Sequence, residues 1–289
     1  MGAIVSVRDT AWKPRITASR AIPGVRAGSG LLRIGRRLLA IQDDAYAAIW
    51  IDPIARQIEL LKLRGGGDAL PKSEKPDFES AFMHEGRAWI LGSGSRPNRS
   101  TMARVDLATR EAVLLNALPL FGAVTRAVGR TANVEGAVPD GARLRLFNRG
   151  VGMGTAAGGN FILDFPIGVL AGEAPGLLQS QAVDLGEVEG VKLTFTDAVA
   201  LAPGRALYLA VAERTADAIA DGEIAGCAVG IVEAAGARWA PLLEAYGQPC
   251  KRKVEGVALD EGGKAGWLLT DPDDAGKPAE LCRFEFVRG

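Results

Sequence analysis

Four short segments of this chain place an acidic residue beside a small one at the head of a strand-like stretch. They are Asp77-Phe78-Glu79-Ser80, Asn133-Val134-Glu135-Gly136, Phe195-Thr196-Asp197-Ala198 and Lys253-Val254-Glu255-Gly256, and their acids stand 56, 62 and 58 residues apart. Near-regular spacing of that size marks a repeated supersecondary unit. If the units close into a ring, equivalent positions converge on one axis. Four carboxylates gathered there are costly unless a cation, a proton or water compensates them.

The stretches between the acids are short alternating apolar runs divided by Gly, Pro, Asp and Asn, which is the pattern of antiparallel strands and tight turns. The clearest unit reads as strand Phe78–His84, a Glu85-Gly86 turn, strand Ala88–Gly92, a loop, strand Met102–Leu107, a turn and strand Ala112–Leu118. Similar units begin at Val134, Thr196 and Val254. An earlier copy runs from Gly30 to Leu63, with Gly30 where the others carry an acid. The last unit ends one strand short, and the N-terminal segment within Ile4–Ile22 is expected to supply it. That closure removes an open sheet edge.

The sequence therefore predicts an all-β fold in a single domain over residues 1–289. The favoured form is a five-bladed β-propeller of four-stranded antiparallel blades, the last closed by an N-terminal strand. Six blades, an open β-solenoid and two β-sandwiches are the alternatives. Helical periodicity is nearly absent; the alanine-rich stretch Arg214–Ala225 is expected to form a turn or two of helix.

Lys plus Arg and Asp plus Glu each number 34, so the formal charge is zero and no basic run exists. Neither a nucleic acid nor an anionic membrane has electrostatic support as a partner. Cys227, Cys250 and Cys282 lie far apart in sequence, without metal or redox spacing, and read as buried, reduced thiols. Met1 to Trp12 lacks the apolar core of a secretory signal and no run is long enough to cross a bilayer, so a cytoplasmic location is expected.

In a propeller the first strand of each blade lines the central channel. Glu79, Glu135, Asp197 and Glu255 head those strands and are expected to share one level near one mouth, where they would hold a metal ion. With no His or Cys in the motifs the ligand set is oxygen alone, which suits Ca²⁺ best, with Mg²⁺ or Mn²⁺ behind it. The other reading is that these acids cap strand starts by accepting backbone N–H groups. The second strands end at the same mouth and bring a rim of Asp43, Asp44, Arg96, Asn148, Arg149, Glu213, Arg214 and Asp271. Arg96, Arg149 and Arg214 would offer forked donors to a small anionic ligand.

Gly150-Val151-Gly152-Met153-Gly154 is not set between a strand and a helix, so it reads as a loop and not as a nucleotide site. His84, the single histidine, is expected on the face away from the acids, and Ser93 and Ser95 lack a base partner.

The Asn133-Val134-Glu135-Gly136 and Lys253-Val254-Glu255-Gly256 motifs resemble those of the SdiA-regulated and esterase-like-phytase families of bacterial β-propellers. More distantly they are similar to the SMP-30/gluconolactonase and paraoxonase propellers. The resemblance implies a divalent cation, often calcium, in the channel; in the lactonase-type families it polarises an ester carbonyl inside an Asn- and Asp-rich shell. Asn148 and Asn133 would contribute to such a shell here. Two functions follow as expectations: a calcium-dependent hydrolase of a small anionic ester, lactone or phosphoester, or a non-catalytic propeller with a structural metal that binds a ligand or protein.

Overall fold

The structure, a computed structural model, describes residues 2–65, 69–216, 222–274 and 276–288. Two strands come first, β1 (Ile4–Arg8) and β2 (Trp12–Ala21). The first meander is β3 (Gly28–Ile34), β4 (Arg37–Gln42), β5 (Ala47–Ile51) and β6 (Ile58–Lys62); the second is β7 (Phe78–His84), β8 (Arg87–Gly92), β9 (Thr101–Asp106) and β10 (Ala112–Asn116). Helix α1 (Leu118–Val128) leads into a third, β11 (Val134–Asp140), β12 (Arg143–Asn148), β13 (Asn160–Pro166) and β14 (Gln179–Asp184). After the short β15 (Glu187–Val188) comes a fourth, β16 (Val191–Ala202), β17 (Arg205–Glu213), β18 (Ile224–Glu233) and β19 (Gly236–Pro241). Strands β20 (Val254–Leu259), β21 (Ala265–Thr270) and β22 (Glu280–Arg288) complete the chain.

Each meander is antiparallel, with its first strand innermost. Strands β3, β7, β11, β16 and β20 lie against one another in that order, and β20 returns against β3, so the sheets close around an axis. Apolar side chains fill the wedge between each sheet and the next. Leu39, Ile41 and Trp50 pack with Phe78 and Ile90; Leu146 and Phe165 pack with Phe121 and Leu91. Further round, Phe147, Phe195 and Tyr208 form an edge-to-face chain with centroids 5.2 and 5.3 Å apart. This explains the near-continuous burial of second strands such as β4 and β17: both faces of each sheet are covered.

The last sheet takes its outer strand from the N-terminal segment, as the short final unit implies. Strand β2 pairs antiparallel with β22 from Trp12 opposite Arg288 to Ala21 opposite Glu280. Strand β1 does something the sequence does not announce. It lies parallel to both β14 and β19, with Ile4 opposite Val183 and Ser6 opposite Ala237, and so joins two meanders into one ten-stranded sheet.

Two local expectations are corrected. The fourth strand of the second unit stops at Asn116 instead of Leu118, and α1 follows. Its apolar residues Leu120, Phe121, Ala123 and Val124 share one buried stripe, Pro119 stands in the first turn, and Gly129 caps the end in the left-handed region at φ 71°. Conversely, Ile224 and Ala225 begin strand β18 and are not helical; residues 217–221 of the same expectation lie outside the described residues. The three cysteines are free and buried. Among the described residues, no helix is long and apolar enough to cross a membrane.

Candidate functional site

Every inner strand carries the same irregularity near its start. Opposite the second strand, one residue is skipped between Gly28 and Gly30, Phe78 and Ser80, Val134 and Gly136, Phe195 and Asp197, and Val254 and Gly256. The skipped residues form one ring of β-bulges: Ser29, Glu79, Glu135, Thr196 and Glu255. A bulge turns its extra side chain out of the alternating pattern, here toward the mouth of the channel. Three bulge residues are glutamates. The other two are hydroxyls that tie adjacent inner strands together, Ser29 Oγ donating to the Phe78 carbonyl and Thr196 Oγ1 to the Val254 carbonyl at 2.8 Å.

Asp197 stands one residue beyond the bulge, at the place the other units give to Gly30, Ser80, Gly136 and Gly256. There the next sheet is very close; a Cβ on Gly136 would sit 2.9 Å from the Ala198 nitrogen. Asp197 accordingly points into that seam: its Oδ2 accepts the Val257 N–H at 2.7 Å and its Oδ1 the Ala198 N–H at 2.7 Å. It does not line the cavity at the mouth. The unit that lacks an acid at the channel is therefore joined by a second, and the channel ring holds three carboxylates.

The cavity has a volume of about 440 Å³. Its wall is charged almost throughout, with ten carboxylates and six cationic side chains among the described residues. Of the rim residues expected from sequence, Asp43, Asp44, Arg149, Glu213 and Asp271 line it. Asn148 is fully buried just behind, its Oδ1 accepting the Asn133 N–H at 2.8 Å and its amide donating to the Arg149 carbonyl at 3.1 Å. Arg96 and Arg214 are exposed and outside the cavity; Arg214 pairs with Glu189 at 2.9 Å. One arginine of the three thus reaches the site.

The compensating charges come from Arg149, expected at the rim, from Lys253, which opens an acidic motif, and from Lys75 and Arg99, which the repeat pattern does not single out. Lys75 Nζ is bonded to Asp43 and lies 2.9 Å from Asp77 Oδ1. Arg99 Nη1 donates to Asp77 Oδ2 at 2.9 Å. Arg149 reaches Glu213, Glu135 at 3.5 Å and Glu255 at 3.8 Å. Lys253 Nζ lies 3.3 Å from Glu255 and 2.8 Å from Asp273. Asp77, Asn133 and Lys253 are the first letters of the acidic motifs. They occupy equivalent positions too: their carbonyls accept the N–H groups of Ser93, Arg149 and Asp271. The signal that could have found them lies two residues before each glutamate.

Burial dominates the electrostatics. It raises the Asp43 carboxyl in spite of Lys75, whereas at Asp77 the charges of Lys75 and Arg99 and the Ser93 hydroxyl overcome burial and hold the acid low. Burial pushes Glu135 up to about 8 against the pull of Arg149, and Asp271 up to about 8 with help from Glu255. Glu79 is raised well above the carboxylate range, first by burial and then by Glu135 and Asp77. Among the described residues no group donates a hydrogen bond to Glu79, although it is only 9% exposed and lines the cavity. Asp43, Asp77 and Glu79 each bring one oxygen within 4.8 Å of the others.

The opposite mouth is larger, about 800 Å³, but mainly apolar, with Phe82, Val138, Leu201 and Phe286 on its wall. His84 is remote from the acids, with Glu85 at 3.9 Å as its partner. Gly150–Gly154 forms a loop whose Val151 bridges to Gly158. Ser93 and Ser95 both serve Asp77, as hydrogen-bond donors.

Solved structures place this architecture among the β-propellers. Glutaminyl cyclase from Myxococcus xanthus superposes with a TM-score of 0.55 at 10% identity, covering 98% of this chain and 99% of that one. Streptogramin B lyase (TM-score 0.44, 8% identity, 96% and 100% coverage) and the Pan2 WD40 domain of Neurospora crassa (0.43, 6%, 97% and 97%) are more distant. The chain spans 61% of the length of a hydrazine synthase chain from Kuenenia stuttgartiensis, which covers 83% of this chain at 12% identity and a TM-score of 0.43. At these identities the likeness is one of fold. Residues 24–286 match the family described as "Family of unknown function (DUF6929)", and the chain belongs to that family. No curated protein matches it.

Proposed function

We propose that this chain is a single-domain, five-bladed β-propeller that binds a divalent cation at the acid-lined mouth of its channel, as a binding module more than as an enzyme. The observation that carries this reading is Glu79: a buried carboxyl aimed into a cavity, without a hydrogen-bond donor among the described residues, beside Asp43 and Asp77. Leaving such a group unmatched costs free energy that a cation would recover. The residues fit a hard ion. Asp43, Asp77 and Glu79 offer oxygen only, Glu135 stands next in the ring with Glu255 beyond Ser29 on the other side, and no His or Cys among the described residues lines the cavity. Ca²⁺ is the first choice and Mg²⁺ or Mn²⁺ the next. Asp197, committed to two backbone N–H groups, takes the capping role.

The five-blade count rests on the closed sequence of inner strands and on the shared bulge, which recurs once per meander. Hydrolysis of a small anionic ester, lactone or phosphoester is the second reading. It draws on Arg149, buried at the mouth, and on a bound cation that would polarise a carbonyl or phosphoryl oxygen. A carboxylate excess on the wall makes the cation a prerequisite for any anion.

Calorimetric titration with CaCl2, MgCl2 and MnCl2, together with thermal unfolding, tests the proposal. A ligand at 100 times its Kd stabilises the native state by about 2.7 kcal/mol. Wild-type protein should show a cation-dependent rise in Tm that E79Q loses. No heat and no shift with any of the three ions would overturn it. Turnover of an ester, lactone or phosphoester panel by the loaded protein would promote the second reading.

A further inference from the structure

We propose that Lys75 is a tethered counter-ion that holds the cation position of this site and decides which ions enter it. The inference rests on the cation-binding reading above. Lys75 Nζ is bonded to Asp43 Oδ2 and lies 2.9 Å from Asp77 Oδ1, so it engages two of the three carboxylates whose oxygens converge. The third, Glu79, faces the same space without a hydrogen-bond donor among the described residues. Any ion that used all three would have to take Asp43 and Asp77 from the ammonium.

The backbone around Lys75 is arranged for such an exchange. Lys75 lies outside the sheets, in a turn where the N–H groups of Glu74 and Lys75 donate to the Pro71 carbonyl at 2.8 and 3.1 Å. The Asn98 amide holds the Lys75 carbonyl at 2.9 Å. The main chain is thus fixed, while the four-carbon arm itself takes part in no sheet hydrogen bond. Lysine suits this role because its ammonium is a compact charge on a flexible stem, without the fixed fork of arginine.

Charge then sets selectivity. Na⁺ or K⁺ would bring one positive charge in place of one, and would compete from dilute solution against a group at high local concentration. A divalent ion brings two, and the surplus of carboxylates on the wall favours it. Lys75 therefore screens out monovalent ions and weakens divalent binding to a reversible range.

The test compares wild-type protein with K75Q and K75R, titrated with CaCl2, and K75A, titrated with propylammonium chloride. K75Q should bind Ca²⁺ about tenfold or more tightly than wild type, because the ion no longer displaces an ammonium. K75R, whose guanidinium grips the carboxylate pair more firmly, should bind it more weakly. Propylammonium should raise the Tm of K75A and leave that of wild type unchanged. If wild type binds Ca²⁺ and K75Q binds it equally or more weakly, the inference falls and the site reading stands. If neither binds any divalent ion, the site reading falls and the inference with it. Should K75Q fail to fold, the K75R comparison still decides, since unchanged or tighter Ca²⁺ binding by K75R removes the competition.

Discussion

Asp197 Oδ2 accepts the backbone N–H of Val257 at 2.7 Å, so one carboxylate of β16 clasps the inner strand of the next sheet. Its other oxygen takes the Ala198 N–H at 2.7 Å, and the residue is 2% exposed. D197A would leave two buried N–H groups unmatched and should destabilise the fold by about 2–4 kcal/mol in urea unfolding. Because Asp197 does not line the cavity, the Ca²⁺-induced rise in Tm should be retained. Loss of that rise at undiminished stability would give Asp197 a role as ligand instead.

Arg149 neutralises Glu135, Glu213 and Glu255 from one buried guanidinium. Removing one partner of a buried charge cluster strands the others, typically at about 3–5 kcal/mol. R149M should show that loss at pH 8.5 and less at pH 5.5, where Glu135, pushed up to about 8 by burial, carries a proton. Equal losses at the two values would mean that packing, not charge, is what Arg149 supplies.

The pH profile of the ion-free protein follows from the same acids. Glu135 and Asp271 titrate at about 8 in the fold, pushed up by burial, against ordinary values of 4.5 and 3.8. Between those limits the folded state binds more protons than the unfolded chain, so stability falls as pH rises toward 8. On the acid side Asp77, held low in the fold, contributes stability that is lost as pH drops below about 4. Without divalent ions, Tm should peak near pH 4 and decline to about pH 8, and E135Q should flatten the decline. Ca²⁺ should raise Tm more at pH 8.5 than at pH 5.5, since the ion and the protons compete for the same carboxylates.

Gly136 meets the next sheet with no room for a side chain: an added Cβ would stand 2.9 Å from the Ala198 nitrogen and 3.2 Å from the Asp197 carbonyl carbon. Both neighbours are backbone and cannot swing aside. G136V should therefore cost about 1–3 kcal/mol from overpacking, while the same change at Gly141, whose added Cβ would meet nothing within 4 Å, costs only the strain of its left-handed φ of 61°. A larger urea-midpoint shift for G141V than for G136V would contradict this account of the inner ring.

Turn chemistry makes the strands legible in the sequence. Alternation bounded by Glu85-Gly86 marks β7 at Phe78–His84, and β20 at Val254–Leu259 is bounded as sharply. The spacing of the acids likewise points to units whose first strands meet. What the spacing does not show is which of two consecutive residues is the bulge. Aligning acids places Asp197 with the glutamates and Gly30 with them as well, when Thr196 and Ser29 are the equivalents. One position decides whether a side chain enters the channel or the seam. Lys75 and Arg99 escape a sequence reading for another reason. They come from loops that carry no repeat signature, and only the fold brings them beside Asp77. Strand β1 escapes because pairing parallel to two distant strands leaves no local pattern; its Val5 and Val7 are each 66% exposed.

The two N-terminal strands also set a timetable. In a chain made from its N-terminus, β1 and β2 emerge first, yet the partners of β1 begin at Gln179 and the partner of β2 begins at Glu280. At synthesis rates of about 5–20 residues per second, β2 waits roughly 13–50 s before its mate exists. Its Pro14 and the charges of Lys13, Arg15 and Arg20 suit a strand that must stay unpaired on the ribosome without recruiting another chain. Ring closure must then wait for β22, and a translational pause shortly before Glu280 would hold the sheets open longest.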